Sequence, residues 1–429
     1  TSYKQGSSPR YHAREVAAEM ARRYRCPLVL GSATPSAEAL DRCRRGTYNG
    51  VTWTRVEMPE RPGHAVLPTV RIADLRREFS HGSRSMFSKP LMEGLERVVE
   101  CREKAVLLHN RRGFAPFLMC RECGCVPTCN HCSTALTYHE RTHTLQCHTC
   151  GSSWRVQPYP APTSRCPKCG SRYLAKMGLG TQQIEDALHQ MLPEDVAIIR
   201  MDADSTRGKD AHKKLLEQFD ADCAVLLGTQ MIAKGLDFPE VTLVGVVNAD
   251  FALKLPDFRA GERAYDLLEQ VAGRAGRGDR PGEVIIQTYL PEDPVIRAVA
   301  EHDRSIFTDY DLNQRRDALY PPFVRLINIL VWSANRANAQ DYIGRIARLL
   351  KRRWHAAAPD FLRAGSAVPQ VLGPASCVIE RAKDRYRFHL LVKSPVGYHV
   401  SDDIDACLKE VGSVRGVSVS VDVDAYDLM

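Results

Sequence analysis

Long apolar runs, a phosphate-binding loop and a secretory signal are all missing from this sequence. No stretch of eighteen or more apolar residues occurs in its 429 residues, so we expect no segment that spans a membrane. The absence of G-x-x-x-x-G-K-S/T excludes a phosphate-binding loop of that type within the chain. Because no secretory signal precedes the chain, those of its fifteen cysteines that have metal-ligand spacing favour metal binding over disulfides or scattered core cysteines.

The charge of the chain is distributed unevenly. Residues 101–180 contain eleven Lys and Arg against three Asp and Glu, and the difference of +8 equals the formal net charge of the whole chain. Residues 401–429 have the opposite character, with seven acids against two bases. The basic segment indicates a polyanionic partner, although a solvated basic face explains the charge equally well. The length predicts two to four domains.

Eight of the cysteines form four Cys-x-x-Cys pairs within fifty residues. Two thiolates at this spacing can bind one tetrahedral cation, and eight of them complete two four-cysteine sites with no open position. We therefore predict two structural zinc ions without a catalytic role. The pairs are Cys120/Cys123, Cys129/Cys132, Cys147/Cys150 and Cys166/Cys169.

The spacing also predicts which pairs share a metal. Five residues separate Cys123 from Cys129, too few for the hairpin that joins two knuckles, whereas fourteen separate Cys132 from Cys147. We expect the second and third pairs to form an inner site and the first and fourth to close an outer site around it. Spacing alone leaves a crossed arrangement open. Cys125 is expected to be a spare thiol, and the nearby histidines are expected at the surface: His131, His139, His143 and His148.

Helix and strand patterns alternate on both sides of the cysteine segment. Before it, we predict helices over about 12–24 and 87–102, strands at 27–30 and 105–109, and extended segments and loops over 50–90. Alternation after it is typical of βαβ units and a parallel sheet. The predicted elements there are helices at 181–192, 209–219 and 259–275, and strands at 196–200, 224–227, 241–247 and 283–288.

A small α+β domain is predicted after the Pro-Pro-Phe sequence at 321–323. Its predicted elements are strands at 326–332, 385–393 and 416–424 and a basic amphipathic helix over 336–355.

The sharpest catalytic signal is Q-x-x-G-R-x-x-R at residues 270–277. Arg274 and Arg277 are three residues apart, so a helix places both guanidinium groups on one face, where they can bind a triphosphate with Gln270 beside them. A salt-bridged helix end is the alternative. The flanking glycines allow close approach and favour the phosphate interpretation.

Two weaker signals follow other predicted strands. Thr229, directly after the strand at 224–227, is a candidate DNA contact, and Gly235 and Asp237 in the following turn are candidate nucleotide contacts. Gly31–Ser36 places small hydroxylated residues at the end of the strand predicted at 27–30. Each of these sequences alone is compatible with a plain turn.

Together and in this order, the motifs resemble motifs III, V and VI of superfamily 2 helicases. Further segments are similar to one family of these enzymes, the primosomal replication-restart helicases. They are residues 2–5, 10–14, 31–36, 109–116, 178–181 and 255–259, with the eight-cysteine insertion. The resemblance implies an α/β fold: a RecA-like helicase lobe with an inserted double zinc module, followed by a small α+β domain.

The resemblance also implies domain boundaries. We expect the distal part of the first motor lobe at 1–100 and the second lobe at 101–305, with the zinc insertion at 119–172. The C-terminal α+β domain is expected at 306–429.

The activity that the resemblance implies is ATP-dependent unwinding of DNA in the 3′→5′ direction, at stalled or repaired replication forks that are restarted by primosome assembly. In the family, the Walker A and Walker B motifs precede the segment that resembles residues 2–14. Neither occurs here, so we expect a C-terminal portion that does not hydrolyse ATP alone.

The implied ligands of the intact protein are ATP and Mg²⁺. The implied partners are forked and single-stranded DNA, single-stranded DNA-binding protein, and primosome or helicase-loading proteins. A monomer in the bacterial cytoplasm, associated with the nucleoid, is expected.

Site residues are carried over from the resemblance. Arg277 corresponds to the arginine finger at the γ-phosphate, with Arg274 beside it and Gln270 in support. An aromatic-rich loop that senses DNA corresponds to Tyr3, Lys4, Gln5, Tyr11, His12 and Arg14.

Two other functions stay open: a non-catalytic factor that binds forks and docks partners, and a zinc-ribbon RNA factor. The intact arginines favour the helicase.

Overall fold

The computed structural model describes most of the chain. The described residues are 3–7, 9–58, 67–109, 117–157, 165–177, 180–202, 205–206, 211–229, 232, 240–275 and 282–428. Three predicted site residues, Gly235, Asp237 and Arg277, lie outside these ranges. No helix in the described ranges combines the length and the apolar character that a bilayer crossing requires.

Residues 3–58 contain two capped helices and a short hairpin. The first helix begins after His12, whose side chain accepts a hydrogen bond from the Arg14 amide, and the second begins after Ser36, which caps the Ala39 amide. The elements are α1 (Ala13–Tyr24), α2 (Ala37–Arg45), β1 (Thr47–Tyr48) and β2 (Val51–Thr52). The helix predicted over about 12–24 is confirmed.

The strand predicted at 27–30 is wrong. These residues have no regular secondary structure and are exposed, and the Val29 side chain is 90% accessible. Four apolar residues in a row form a strand only when a sheet receives them, and in the described part of the chain none does.

The chain then enters a parallel sheet earlier than predicted. The next elements are β3 (Thr69–Asp74), α3 (Leu75–Ser80), α4 (Lys89–Glu100) and β4 (Lys104–Leu108). Residues 69–74 lie in the part of the chain for which only extended segments and loops were predicted, and they form a strand that pairs in parallel along its whole length with residues 283–288.

The zinc module consists of short antiparallel strands. They are β5 (Leu118–Cys120), β6 (Thr137–His139), β7 (Thr144–Gln146), β8 (Ser153–Arg155) and β9 (Leu174–Lys176). The β5–β9 pair closes the module at its base, and the strands β6, β7 and β8 form a small sheet within it. The insertion therefore extends to Lys176, slightly beyond the predicted limit.

Alternating helices and strands complete the motor lobe. They are α5 (Thr181–Met191), β10 (Ala197–Met201), α6 (Ala211–Phe219), β11 (Ala224–Gly228), β12 (Val241–Val246), α7 (Asp250–Leu253), α8 (Ala260–Ala272), β13 (Glu283–Thr288), α9 (Pro294–Ala300) and α10 (Arg304–Asp317). The six parallel strands lie in the order β10-β11-β4-β12-β13-β3.

Helices cover both faces of this sheet. Alternate residues of β4 point to opposite sides, as the pleat requires: Ala105 and Leu107 pack with α4 and α5, and Val106 and Leu108 pack with α8 and α9. The result is the doubly wound sheet expected of a RecA-like lobe, so the predicted fold class is confirmed.

The C-terminal domain has a split β-α-β arrangement. Its elements are β14 (Val324–Ser333), α11 (Arg336–Arg363), β15 (Gln370–Ala382), β16 (Arg385–Pro395), α12 (Val400–Val411) and β17 (Val417–Val423). The antiparallel strands lie in the order β15-β16-β14-β17, and both helices pack on one face. The predicted α+β character is confirmed, although β15 and α12 had not been predicted.

Two predicted domain boundaries fall inside packed structure. The boundary at 100 separates β3 and α4 from the sheet to which they belong. The boundary at 306 cuts α10, whose Phe307 stacks on Tyr265 of α8 at 5.3 Å between ring centroids. Both disagreements have one cause: the packing partners are distant in sequence, and local patterns do not reveal them.

Candidate functional site

The eight cysteines form two clusters with the nested pairing predicted from their spacing. Cys120, Cys123, Cys166 and Cys169 form one, and Cys129, Cys132, Cys147 and Cys150 form the other. The Sγ atoms are 3.6 Å apart in Cys120 and Cys169, 3.6 Å in Cys123 and Cys166, and 3.8 Å in Cys129 and Cys150. Four sulfurs around zinc at about 2.3 Å are separated by about 3.8 Å, so both clusters fit the ion. With four protein ligands each, the sites are closed and structural.

All four knuckles share one backbone geometry. The amide four residues after the first cysteine donates to that cysteine's carbonyl oxygen at 2.8–2.9 Å, and its residue has a positive φ. These residues are Gly124, Ser133, Gly151 and Gly170. Glycine directly after three of the Cys-x-x-Cys pairs is therefore a sequence signal of the turn, because glycine adopts this conformation without steric cost.

The inner zinc site is docked on the C-terminal domain. The His148 ring donates from Nδ1 to the Ser376 carbonyl oxygen at 2.9 Å, and the His389 ring donates from Nε2 to the His148 carbonyl oxygen. A Cβ atom on Gly151 would lie 2.9 Å from the Pro374 carbonyl oxygen, so the two backbones are in close contact.

The prediction of a surface position is wrong for His148. Its side chain is buried, and His139 is half-buried with its Nε2 3.2 Å from the His148 Nε2. The expectation that neither is a zinc ligand holds, because the cysteines complete both clusters. Cys125 likewise lies outside both clusters.

The outer zinc site is docked on the motor lobe. A Cβ atom on Gly124 would clash with the Tyr289 carbonyl oxygen directly after β13. Tyr173, next to β9, packs edge-to-face on Phe79 of α3 at 5.0 Å. The module therefore connects the lobe at its outer site to the C-terminal domain at its inner site.

Helix α8 is docked along the segment that contains the Gly31–Ser36 motif. Glu262 accepts a hydrogen bond from the Ala37 amide at 2.8 Å, and the carboxyl of Asp266, one turn later, lies near the Thr34 side chain. Gln270 follows after another turn on the same face of the helix. The structure thus brings together two motifs that are more than 200 residues apart.

The helix itself ends earlier than predicted. Its last residue is Ala272, and Arg274 lies in a turn in which its amide donates to the Val271 carbonyl oxygen at 3.0 Å. Gln270 and Arg274 are both half-buried. The prediction that Arg274 and Arg277 share a helix face falls on residues partly outside the described ranges and stays a prediction.

Asp266→Asn is expected to make the chain's stability less sensitive to rising pH. Burial raises the pKa of Asp266 to about 7, and Glu262 adds to the effect. Because an unfolded Asp has a pKa of about 3.9, the folded state holds this proton more tightly than the unfolded state. The resulting stabilisation is full below about pH 4 and is lost as the pH rises through about 7. Between pH 5 and 7 the loss is on the order of 2 kcal/mol.

Urea unfolding at pH 5 and pH 8 measures this difference. The free energy of unfolding should fall between these values by more in the unmodified chain than in Asp266→Asn. Asp309→Asn, an exposed carboxyl on α10, is the control and should follow the unmodified chain. If the free energy of unfolding changed equally with pH in all three proteins, Asp266 would not be a buried carboxyl with a raised pKa.

The predicted DNA-sensing loop lies against the C-terminal domain. Lys4 forms an ion pair with Asp422 at 2.8 Å and donates to the Val423 carbonyl oxygen, and Arg14 donates to the Ser36 hydroxyl at 2.7 Å. His12 caps α1, and burial followed by the charge of Arg14 lowers its pKa to about 4.

Other residues of the loop are more accessible. The Tyr3 side chain is 70% exposed and that of Tyr11 is 47% exposed. Gln5 donates to the Ser7 hydroxyl at 2.8 Å. Thr229 follows β11 at the carboxyl edge of the sheet, where its amide donates to the Met201 carbonyl oxygen at 3.4 Å.

A buried group of charged residues was not predicted. It consists of Glu38, Arg259, Glu262, Asp311 and Arg315, which come from α2, α8, α10 and the residue before α8. Of these, Arg259 belongs to a sequence segment that had been singled out, and no local pattern marks the others. We call this group the buried charge cluster.

Three protein-family models match the chain. Residues 316–426 match the primosomal protein N C-terminal domain, and residues 179–279 match the helicase conserved C-terminal domain. Residues 129–155 match the Cys-rich region domain of PriA DNA helicase.

Similar proteins extend over the whole chain. Three of them carry the name replication restart protein PriA: from Bacillus subtilis (strain 168), 42% identical; from Synechocystis, 41%; and from Treponema pallidum (strain Nichols), 37%. Each alignment covers 100% of this chain, and 51%, 50% and 61% of the respective relative. The chain therefore spans about half the length of the curated relatives it matches.

Proposed function

Since this chain belongs to the PriA family of replication restart proteins, we propose that it forms the distal half of an ATP-dependent superfamily 2 DNA helicase. The enzyme would recognise stalled or repaired replication forks, move 3′→5′ and restart replication through primosome assembly. Because the chain contains no phosphate-binding loop, ATP hydrolysis requires a further lobe.

The contact between α8 and residues 34–37 is the observation that carries the proposal. A two-lobed motor binds ATP between its lobes, so a helix of the second lobe must face a segment of the first. Here Glu262 accepts a hydrogen bond from the Ala37 amide, Asp266 lies near Thr34 on the same face of α8, and Gln270 continues that face. Arg274 follows directly, and it would reach the triphosphate at this junction.

Each residue has a separate role in this proposal. Arg277 is the arginine finger, which stabilises the negative charge that develops on the γ-phosphate in the transition state. Arg274 binds phosphate oxygens, Gln270 supports it, and Gly235 and Asp237 contact the nucleotide. Mg²⁺ would neutralise phosphate charge when bound.

Single-stranded DNA is proposed to contact the loop at 3–14 and Thr229. The exposed rings of Tyr3 and Tyr11 can stack on unpaired bases. Lys4 contacts Asp422 and Arg14 contacts Ser36 within the protein, which supports a role in linking bound DNA to the rest of the motor. The two zinc ions hold the module in shape, and its basic surface would attract DNA.

Further partners remain part of the proposal: single-stranded DNA-binding protein, and primosome or helicase-loading proteins. The protein is proposed to act as a cytoplasmic, nucleoid-associated monomer.

Binding of single-stranded DNA by this chain is expected to weaken strongly with salt. Each neutralised phosphate contributes about −0.7 to the slope of log affinity against log salt, so three to five contacts predict a slope of about −2 to −3.5. Fluorescence anisotropy with an oligonucleotide between 50 and 300 mM salt gives this slope. A flat response would contradict a contact made through phosphates.

The motor activity itself is tested on forks. The protein with both lobes should displace a strand from a fork with a 3′ single-stranded tail when ATP is present, and it should fail on the fork of opposite polarity. Tight fork binding without ATP-dependent displacement would favour the non-catalytic docking factor instead.

A further inference from the structure

The buried charge cluster is unusual because ionised groups are rarely enclosed so completely. Arg259 lies 2.6 Å from Glu38 and 3.2 Å from Glu262, and Arg315 lies 2.9 Å from both Glu262 and Asp311. The two arginine side chains are only 4% and 2% accessible.

The charges within the cluster balance when Asp311 is neutral. Burial alone would raise the pKa of Glu262, but Arg315 and Arg259 hold it below its ordinary value. Burial raises the pKa of Asp311 to about 6, against the attraction of Arg315. Two cations therefore face two permanent anions, with Asp311 as a third acid that ionises less readily.

Such a cluster is a poor way to gain stability. Desolvating ion pairs costs several kcal/mol per ion, and well-packed apolar residues often do as well or better. Removing one partner, however, leaves an uncompensated buried charge. The arrangement therefore fixes the relative positions of its segments more strongly than it stabilises the fold.

The segments that it fixes are those the motor must coordinate. Glu38 follows the Gly31–Ser36 motif by two residues, and Arg259 and Glu262 are at the start of α8. Arg315 is in α10 and also donates to the Pro321 carbonyl oxygen, where the C-terminal domain begins.

The C-terminal tail connects this group to the DNA-sensing loop. The Arg259 guanidinium lies over the Tyr426 ring at 4.5 Å, and the His12 ring lies 6.1 Å from the same ring. Lys4 is paired with Asp422, four residues before Tyr426. Contacts therefore run without a gap from the loop through the tail to Arg259 and α8.

We propose that the Glu38–Arg259–Glu262 core of this cluster is a positioning centre, which converts DNA binding at the loop into placement of Gln270 and Arg274 for ATP hydrolysis. Helix α8 is about 20 Å long, and the cluster fixes its first turn. A shift at this first turn would therefore move Gln270 near the other end of the helix. The inference rests on the proposed motor function. Glu38, Arg259 and Glu262 are buried, so in this proposal they act by position and not by contact with nucleotide or DNA.

The test uses the protein with both motor lobes and three variants: Glu38→Gln, Arg259→Gln and the double variant. For each, ATP turnover is measured without DNA and with saturating forked DNA, together with the fork concentration that gives half-maximal stimulation. In each single variant, we expect basal turnover to stay within about threefold of that of the unmodified protein. The fork concentration that gives half-maximal stimulation should stay within the same range. Stimulation by saturating DNA should fall at least tenfold.

The double variant should recover a large part of the stimulation, because removing both charges restores neutrality and two amides can still hydrogen-bond. A purely structural role would not produce this rescue in the stimulated rate alone.

Arg44→Gln is the matched control: Arg44 joins the same helices, α2 and α10, through an exposed ion pair with Asp309 at 2.5 Å. It should behave like the unmodified protein.

Folding is checked by zinc content and melting temperature. If Glu38→Gln fails to fold, Glu38→Asp keeps the charge but withdraws it from Arg259 by one methylene, and the same selective loss is expected. Unchanged stimulation in well-folded single variants would overturn the positioning centre and leave the motor intact. Absence of any ATP turnover in the unmodified protein would instead overturn the proposed function, and this inference with it.

Discussion

Arg277→Ala is expected to reduce ATP turnover by the two-lobed protein about 10³–10⁵-fold and to abolish unwinding. An arginine finger interacts with charge that develops only as the γ-phosphate leaves, so its loss raises the barrier with little effect on the ground state. Fork affinity should therefore stay within about threefold, because the proposed DNA contacts lie elsewhere. Single-turnover hydrolysis and fork binding, measured on the same preparation, separate the two effects.

Arg297→Ala is the matched control for this variant. Arg297 is in α9 of the same lobe, about half exposed, and forms an ion pair with Glu301 at 2.9 Å. Exposed ion pairs of this kind contribute little to stability, and Arg297 has no role in the proposed chemistry, so ATP turnover should be unchanged. Near-normal unwinding by Arg277→Ala would remove the arginine-finger assignment and strengthen the docking-factor alternative.

Cys147→Ser is expected to release the inner zinc ion and to loosen the contact with the C-terminal domain. Zinc binding contributes about 10–16 kcal/mol to the folding of small zinc domains. A four-cysteine site that keeps only three of its thiolates loses much of this free energy. His148 follows Cys147 directly and makes the contact with Ser376 and His389. Elemental analysis should give two zinc ions per unmodified chain and one per Cys147→Ser chain.

Hydrogen exchange shows whether the contact is lost as well. Amides of the inner module and of β15 around Ser376 should exchange faster in Cys147→Ser, whereas β4 and β12 in the motor lobe should be unaffected. Cys125→Ser is the control, since Cys125 lies in the same module outside both clusters. Two zinc ions in Cys147→Ser, or one in Cys125→Ser, would show that the ligand assignment is wrong.

The zinc pairing could be predicted from sequence because its constraint is local. The number of residues between knuckles limits which pairs can meet, and the structure has the nested arrangement. The strands and helices of the motor lobe were predictable for a related reason: buried parallel strands are continuous apolar runs, and the helices between them have a clear period.

Features that depend on distant partners escaped prediction. Strand β3 is recognisable only by its pairing with β13, more than 200 residues later. Arg315 and Glu38 are 277 positions apart, and the sequence around either residue does not indicate that its side chain is buried. His148 resembles a surface residue until Ser376 and His389 are seen to enclose it. Burial of polar groups follows from tertiary partners, which local periodicity cannot supply.

The motor function is tested most directly by comparing DNA-dependent ATP hydrolysis by this chain and by the protein that also carries the first motor lobe. We expect no hydrolysis by the chain alone, because it contains no phosphate-binding loop. We expect hydrolysis by the longer protein, rising at least tenfold on addition of forked DNA. Hydrolysis by the chain alone, or a longer protein that binds forks without hydrolysing ATP, would contradict the proposed motor.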